Sequence, residues 1–158
     1  MWQIDPAPFE VRQCTVGSPI PLSYWGDYPY IIQSESDALD ITEIDPDALV
    51  LVQLGPFRRE GLYRLDGRAI RTIWEHRKEL PMRLWEPNME TLPYTGVRVS
   101  SFALDGVRLV NPHGVRCTFY LCWTEGDVRW GVTPVNYYRG PNFMRLRLRK
   151  EFDLHRSL

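Results

Sequence analysis

The sequence predicts a mainly β protein, α+β at most, built as an antiparallel β-barrel or a two-sheet sandwich with one helix. Residues 97–150 alternate apolar and polar side chains with period two, which is typical of strands with one buried face. Glycine-containing dipeptides separate the alternating runs, and one of them, Asp105-Gly106, is a preferred two-residue hairpin turn. We therefore expect about nine or ten strands in a single domain spanning residues 1–158.

The predicted hairpins can be tested by register, because the turn fixes which residues lie opposite each other. A two-residue loop at Glu125-Gly126 pairs apolar side chains with each other throughout, namely Trp123 with Val128, Leu121 with Trp130 and Phe119 with Val132. A slip by one residue would mix the two faces, so this register is strongly specified. The same logic at Asp105-Gly106 predicts a second hairpin, with Leu104 opposite Val107 and Phe102 opposite Leu109.

The N-terminal segment, residues 1–34, is expected to be irregular because prolines interrupt it repeatedly. Three aromatic residues, Tyr24, Trp25 and Tyr28, crowd around a Gly-Asp pair within it. These rings must be buried on something, either on the chain's own sheet or on a partner. Since Tyr and Trp are favoured anchors of protein interfaces, we take them as candidate protein-binding residues.

An acidic segment follows at residues 35–47. Asp37, Asp40 and Glu43 would share one side of a short helix, but the local alternation equally allows a strand. No calcium-loop spacing is present, so a solvated loop or a contact with a basic partner are the two interpretations.

The middle of the chain predicts two strands, one helix and a further strand. The first two strands are Ala48–Leu54, which is a continuous apolar run, and 62–65. The further strand is 82–85. Between them Asp66 is expected to cap a helix over residues 68–80, whose buried side comprises Ile70, Ile73, Trp74 and Leu80. Arg71 and Glu75 would then pair on the exposed side.

The last strand is the sharpest functional lead. Arg145, Arg147 and Arg149 share one face, opposite Met144, Leu146 and Leu148. Such a row is either the solvated face of an edge strand, a contact for an acidic protein surface, or a grip on a phosphate backbone. We take the three arginines as candidate protein-binding residues, because the near-zero net charge argues against nucleic acid.

Motifs for catalysis and metal binding are missing. The cysteines, Cys14, Cys117 and Cys122, form no Cys-x-x-Cys pair, and their odd number is typical of free thiols in a reducing compartment. We expect no metal and no cofactor. A hydrolase or isomerase site assembled from Asp27, Tyr28 and His113 in a barrel mouth remains the enzymatic alternative.

Charge is segregated along the chain. Residues 1–50 carry nine acids and one base, whereas the rest carries eleven acids and eighteen bases. Opposite charge on two parts of a chain favours association of copies or folding of one part onto the other. No signal peptide or membrane-length apolar run is visible, so we expect a cytoplasmic or virion-associated protein.

These features together favour a non-enzymatic structural protein, a subunit of a larger assembly such as a virion or tail. Its expected partners are other protein subunits, including copies of itself, and neither nucleic acid nor membrane. Two alternatives stay open. One is a small-ligand-binding β-barrel with or without enzymatic activity, which would hold an internal cavity. The other is an inhibitory or immunity-type protein that binds its partner through the acidic segment.

Overall fold

The computed structural model describes residues 1–6, 31–35, 40–53, 61–110, 114–134 and 144–150. The strands are β1 (Trp2–Gln3), β2 (Ile31–Glu35), β3 (Glu43–Ile44), β4 (Leu49–Gln53), β5 (Leu62–Arg64), β6 (Glu90–Thr91), β7 (Arg98–Val110), β8 (Arg116–Thr124), β9 (Asp127–Pro134) and β10 (Met144–Arg149). Helix α1 spans Gly67–Glu75, and 3-10 helices span Pro46–Ala48, Arg77–Glu79, Met82–Leu84 and Glu86–Asn88. The prediction of a mainly β protein is confirmed.

Eight strands form one sheet, and five of them are hydrogen-bonded side by side in the order β4-β10-β7-β8-β9. Strands β2 and β6 attach to β7, and β5 attaches to β10. The sheet is mixed rather than purely antiparallel, because β10 runs parallel to β7 where Arg145 lies beside Ala103. Within the described ranges the strands form no closed barrel.

The β8–β9 hairpin has the predicted register. Trp123 lies opposite Val128, Leu121 opposite Trp130, and Phe119 opposite Val132. Both turn residues have positive φ, 45° at Glu125 and 95° at Gly126, which is the requirement of a type I′ turn. Here turn geometry and apolar pairing agree, so the local sequence is sufficient to specify the hairpin.

The predicted hairpin at Asp105-Gly106 is wrong, because β7 continues through it as one strand. Leu104 pairs with Phe119 of β8 and Arg108 pairs with the preceding residue of β8, Thr118. The intervening residues 105–107 have no partner in β8 and form a bulge. Gly106 does not adopt the positive φ that the turn would need. Pairing with β8 buries the same apolar residues that the short hairpin would have buried.

Helix α1 begins as predicted and ends early. Asp66 caps it, because its Oδ1 accepts a hydrogen bond of 2.9 Å from the Ala69 amide. The predicted apolar stripe is buried, comprising Ile70, Ile73, Trp74 and Leu80. Arg71 does not pair with Glu75 at the surface; it is buried and donates to the carbonyl of Asp5 at 3.0 Å. The predicted strand at 82–85 is also wrong, since Met82–Leu84 is a 3-10 helix.

The N-terminal expectation is corrected where the structure describes it. Residues 2–3 form β1, which pairs Trp2 with Ile44 of β3, and residues 31–35 form β2 on β7. The Trp2 ring is buried and stacks on the His76 ring of the helix end, with 4.8 Å between centroids. These contacts hold part of the acidic segment against the body of the domain. Residues 7–30, including Tyr24, Trp25 and Tyr28, lie outside the described residues.

Candidate functional site

The predicted arginine row lies on β10, which is an interior strand of the sheet between β4 and β7. Arg145 and Arg147 do share one face, as the alternation predicts, but their side chains are only 10% and 11% exposed. Leu146 and Leu148 are buried on the opposite face. The expectation that Arg145 and Arg147 face solvent is therefore wrong, while their role in binding a partner protein stays a prediction.

The two arginines bind one carboxylate, that of Asp105 in the β7 bulge. Arg147 donates two hydrogen bonds, Nη1 to Oδ1 at 2.6 Å and Nη2 to Oδ2 at 3.1 Å. Nε of Arg145 lies 3.0 Å from Oδ2. Arg64 of β5 donates to the Asp105 carbonyl at 2.7 Å. The bulge thus turns the acidic side chain toward strands β5 and β10, and the cluster joins three strands.

Among the described residues, this cluster holds more positive than negative charge. Burial lowers the pKa of Arg145, while the Asp105 carboxylate raises it and the neighbouring Arg147 and Arg108 lower it further. A desolvated guanidinium among like charges depends on its carboxylate partner. Asp105 therefore compensates the positive charge of two buried arginines, which is a structural role.

Arg149 differs from the other two arginines because it is exposed at the end of β10. Its Nη2 donates to the carbonyl of Asp47 at 2.9 Å, so it contacts the acidic segment of its own chain. The structure thereby brings together three of the predicted contact residues, Arg149, Asp40 and Glu43, around one cleft. Asp37 lies outside the described residues.

The cleft has a volume of about 480 Å³ and lies between the acidic segment, β5 and the end of β10. Its apolar wall comprises Ile41, Ala48, Tyr63 and Leu148. Asp40, Thr42 and Glu43 line its rim and are exposed. Glu43 accepts a hydrogen bond of 3.0 Å from Gln3, whereas Asp40 makes no hydrogen bond to another described residue. The cleft can therefore take an apolar or aromatic group that carries a hydrogen-bond donor.

A second surface feature was not predicted, namely the tip of the short hairpin between β6 and β7. Tyr94 is 99% exposed there and Leu92 is 41% exposed. The tip, defined as residues 92–96, thus displays two large apolar side chains to solvent. The sequence signal was available in Leu92-Pro93-Tyr94-Thr95-Gly96, a turn-type stretch in which apolar residues have no facial period to bury them.

The tip is held in one conformation by backbone hydrogen bonds. Leu92 N–H donates to the Val97 carbonyl at 2.8 Å, and Gly96 N–H donates to the Leu92 carbonyl at 3.0 Å. Gly96 has a φ of 68°, which a residue with a side chain rarely adopts. Below the tip, β6 pairs with the start of β7. An aromatic group on an ordered support loses little conformational entropy when it binds.

The two described thiols, Cys117 and Cys122, are free cysteines. Burial raises the pKa of both Cys117 and Cys122. Cys117 is a buried residue of the core, as predicted. Among the residues that the structure describes, no group of three potential ligands surrounds a metal position. Asp27, His113 and Cys14 lie outside the described ranges.

Comparison with known proteins adds nothing to this geometry. No helix in the described part of the chain combines the length and apolar character needed to cross a membrane. No protein-family model matches the sequence, and neither the curated proteins nor the solved structures contain a match to it.

Proposed function

We propose that this protein is a non-enzymatic interaction protein, a subunit of a larger protein assembly, which docks through the tip at residues 92–96. The observation that carries the proposal is the complete exposure of Tyr94 beside the half-exposed Leu92 on an ordered hairpin. Scattered exposed apolar residues are ordinary, but these two are separated by one residue on a hairpin that backbone hydrogen bonds hold, which suits them to anchor a partner.

The arrangement of charge supports this choice of surface over the predicted one. Arg145 and Arg147 contact Asp105, and separating them from it to meet a neighbour would leave the buried carboxylate with the longer, 3.9 Å contact to Arg64. The tip, by contrast, would gain from losing contact with water. Burying a tyrosine ring removes roughly 150–250 Å² from solvent, much of it apolar. The proposal includes a virion, a tail or a comparable complex as the larger assembly, which is consistent with such a contact.

A photo-crosslinking experiment tests the proposal. Tyr94 is replaced by p-benzoylphenylalanine in the full chain, expressed in the cells from which the sequence comes. We expect a discrete protein adduct after irradiation, because the ring would lie inside the interface. The matched control places the same group at Glu75, which is exposed on α1. Absence of an adduct from position 94, or an identical set from both positions, would contradict docking through the tip.

A second candidate function, binding of a small ligand, is favoured by the cleft. Its volume of about 480 Å³ falls within the usual range of roughly 300–1,000 Å³ for small-molecule sites. A ligand that fits would combine an apolar or aromatic body with a donor group facing Asp40. A ligand of this kind is titrated into the wild-type protein and into the cleft-filling variant Thr42→Trp, and the heat of binding is measured. Only a small-ligand site should give saturable heat with the wild type, and the variant should lose it.

A further inference from the structure

We infer that the partner of the tip is a second copy of this chain, and that Tyr94 of one copy enters the cleft of the next. The inference rests on the proposed function and specifies its partner. The tip offers an aromatic ring with a phenolic donor, whereas the cleft offers an apolar wall and a carboxylate rim. Donor and acceptor therefore meet at the end of a largely apolar contact.

The two surfaces lie at opposite ends of the same sheet. Val99, at the foot of the tip, is four residues before Ala103, which pairs with Arg145 in parallel, and Arg149 at the cleft is four residues beyond Arg145. Eight residues of strand span about 26 Å. A tip at this distance cannot fold back into its own cleft, so a tip can meet a cleft of this kind only on another copy of the chain.

The geometry of such a contact is head-to-tail. Each copy would present one tip and one cleft, so the contact is heterologous and extends to a ring or an open filament rather than stopping at a dimer. The acidic segment keeps the role of receiving surface that the charge pattern suggested, but it receives a tyrosine instead of an arginine row. A contact of a few residues is small, so we expect weak, concentration-dependent association.

Sedimentation equilibrium of three variants tests the inference over about 10 μM to 1 mM, a range suited to small interfaces. Tyr94→Ser removes the anchor, and Thr42→Trp fills the cleft from an exposed position on its rim. The wild type should grow in mass with concentration, whereas each variant alone should remain monomeric. Glu75→Trp, which adds the same ring on exposed α1, should behave as the wild type.

Mixing the two variants gives the decisive result. Tyr94→Ser retains an open cleft and Thr42→Trp retains its tip, so an equimolar mixture should form one-to-one pairs that grow no further. Association that survives either substitution, or a mixture that stays monomeric while the wild type associates, would overturn the inference. If the wild type is monomeric throughout while position 94 still crosslinks to another protein, the inference fails and the proposed function stands. If neither occurs, both fail.

Discussion

The Asp105 cluster allows one stability prediction to be worked through from the contacts. In Asp105→Asn the amide oxygen can still accept one hydrogen bond, but the charge that balances Arg145 and Arg147 is lost. Both side chains are about one-tenth exposed, so two desolvated guanidinium groups would lose the charge of a carboxylate that they contact directly. Breaking a buried ion pair costs about 3–5 kcal/mol, and the bond that remains reduces the expected loss of unfolding free energy to about 2–4 kcal/mol.

The chain offers a matched control in an exposed ion pair. Asp127 and Arg129 are neighbours on β9, with a 2.9 Å contact and side chains that are 53% and 49% exposed. The same chemical change, Asp127→Asn, should cost less than about 1 kcal/mol because such pairs are solvated. The loss of unfolding free energy in Arg147→Met should lie between these two values, because Arg145 still pairs with Asp105.

Urea unfolding followed by tryptophan fluorescence measures these differences. With an m-value of about 2 kcal/mol/M, the midpoint of Asp105→Asn should fall by about 1–2 M. The double variant Asp105→Asn with Arg147→Met should lose less stability than the sum of the single variants, because the second change removes a charge that the first left unpaired. If Asp105→Asn and Asp127→Asn unfold at the same urea concentration, the cluster does not stabilise the fold as described.

Three further predictions follow from local geometry. The ring of Tyr120 lies directly over Gly131, so Gly131→Ala should cost about 1–3 kcal/mol by overpacking, and much less in a Tyr120→Ala background, as a urea double-mutant cycle would show. Loss of the buried helix cap in Asp66→Ala should lower the unfolding free energy by about 1–2 kcal/mol; an unchanged midpoint would contradict the cap. Burial raises the pKa of Cys117 and Cys122, so both stay protonated at pH 8. Iodoacetamide should label them about tenfold faster in urea than in the folded protein. Equal labelling rates in the two states, measured by mass spectrometry, would refute this.

Local sequence was enough where neighbouring segments pair with each other. The β8–β9 register follows from one turn and one alternating pattern, because no distant strand offers a better partner to both faces. The helix cap at Asp66 and its buried stripe were predictable for the same reason. In these elements propensity, pattern and tertiary packing agree.

The errors arise where long-range pairing decides the outcome. Asp105-Gly106 has the chemistry of a tight turn, but β8 competes for the apolar residues on both sides of it, and the dipeptide becomes a bulge. Alternation placed Arg145 and Arg147 on one face, yet it could not tell whether that face meets water. That depends on the β7 bulge, about forty residues earlier in the chain, where Asp105 contacts both arginines.

The position of the arginines also changes which physical force would join two copies, and salt concentration tests this directly. Docking of an arginine row on the acidic segment would be an exchange of exposed charges, and raising NaCl from 50 to 500 mM would weaken it about tenfold or more. Contact through Tyr94 depends on apolar burial and one neutral donor, so its dissociation constant should change less than about threefold over the same range. Sedimentation equilibrium of the wild type at both salt concentrations separates the two mechanisms. Strong weakening by salt would mean that charge, with Arg149 as the exposed arginine of β10, and not the aromatic tip, drives association.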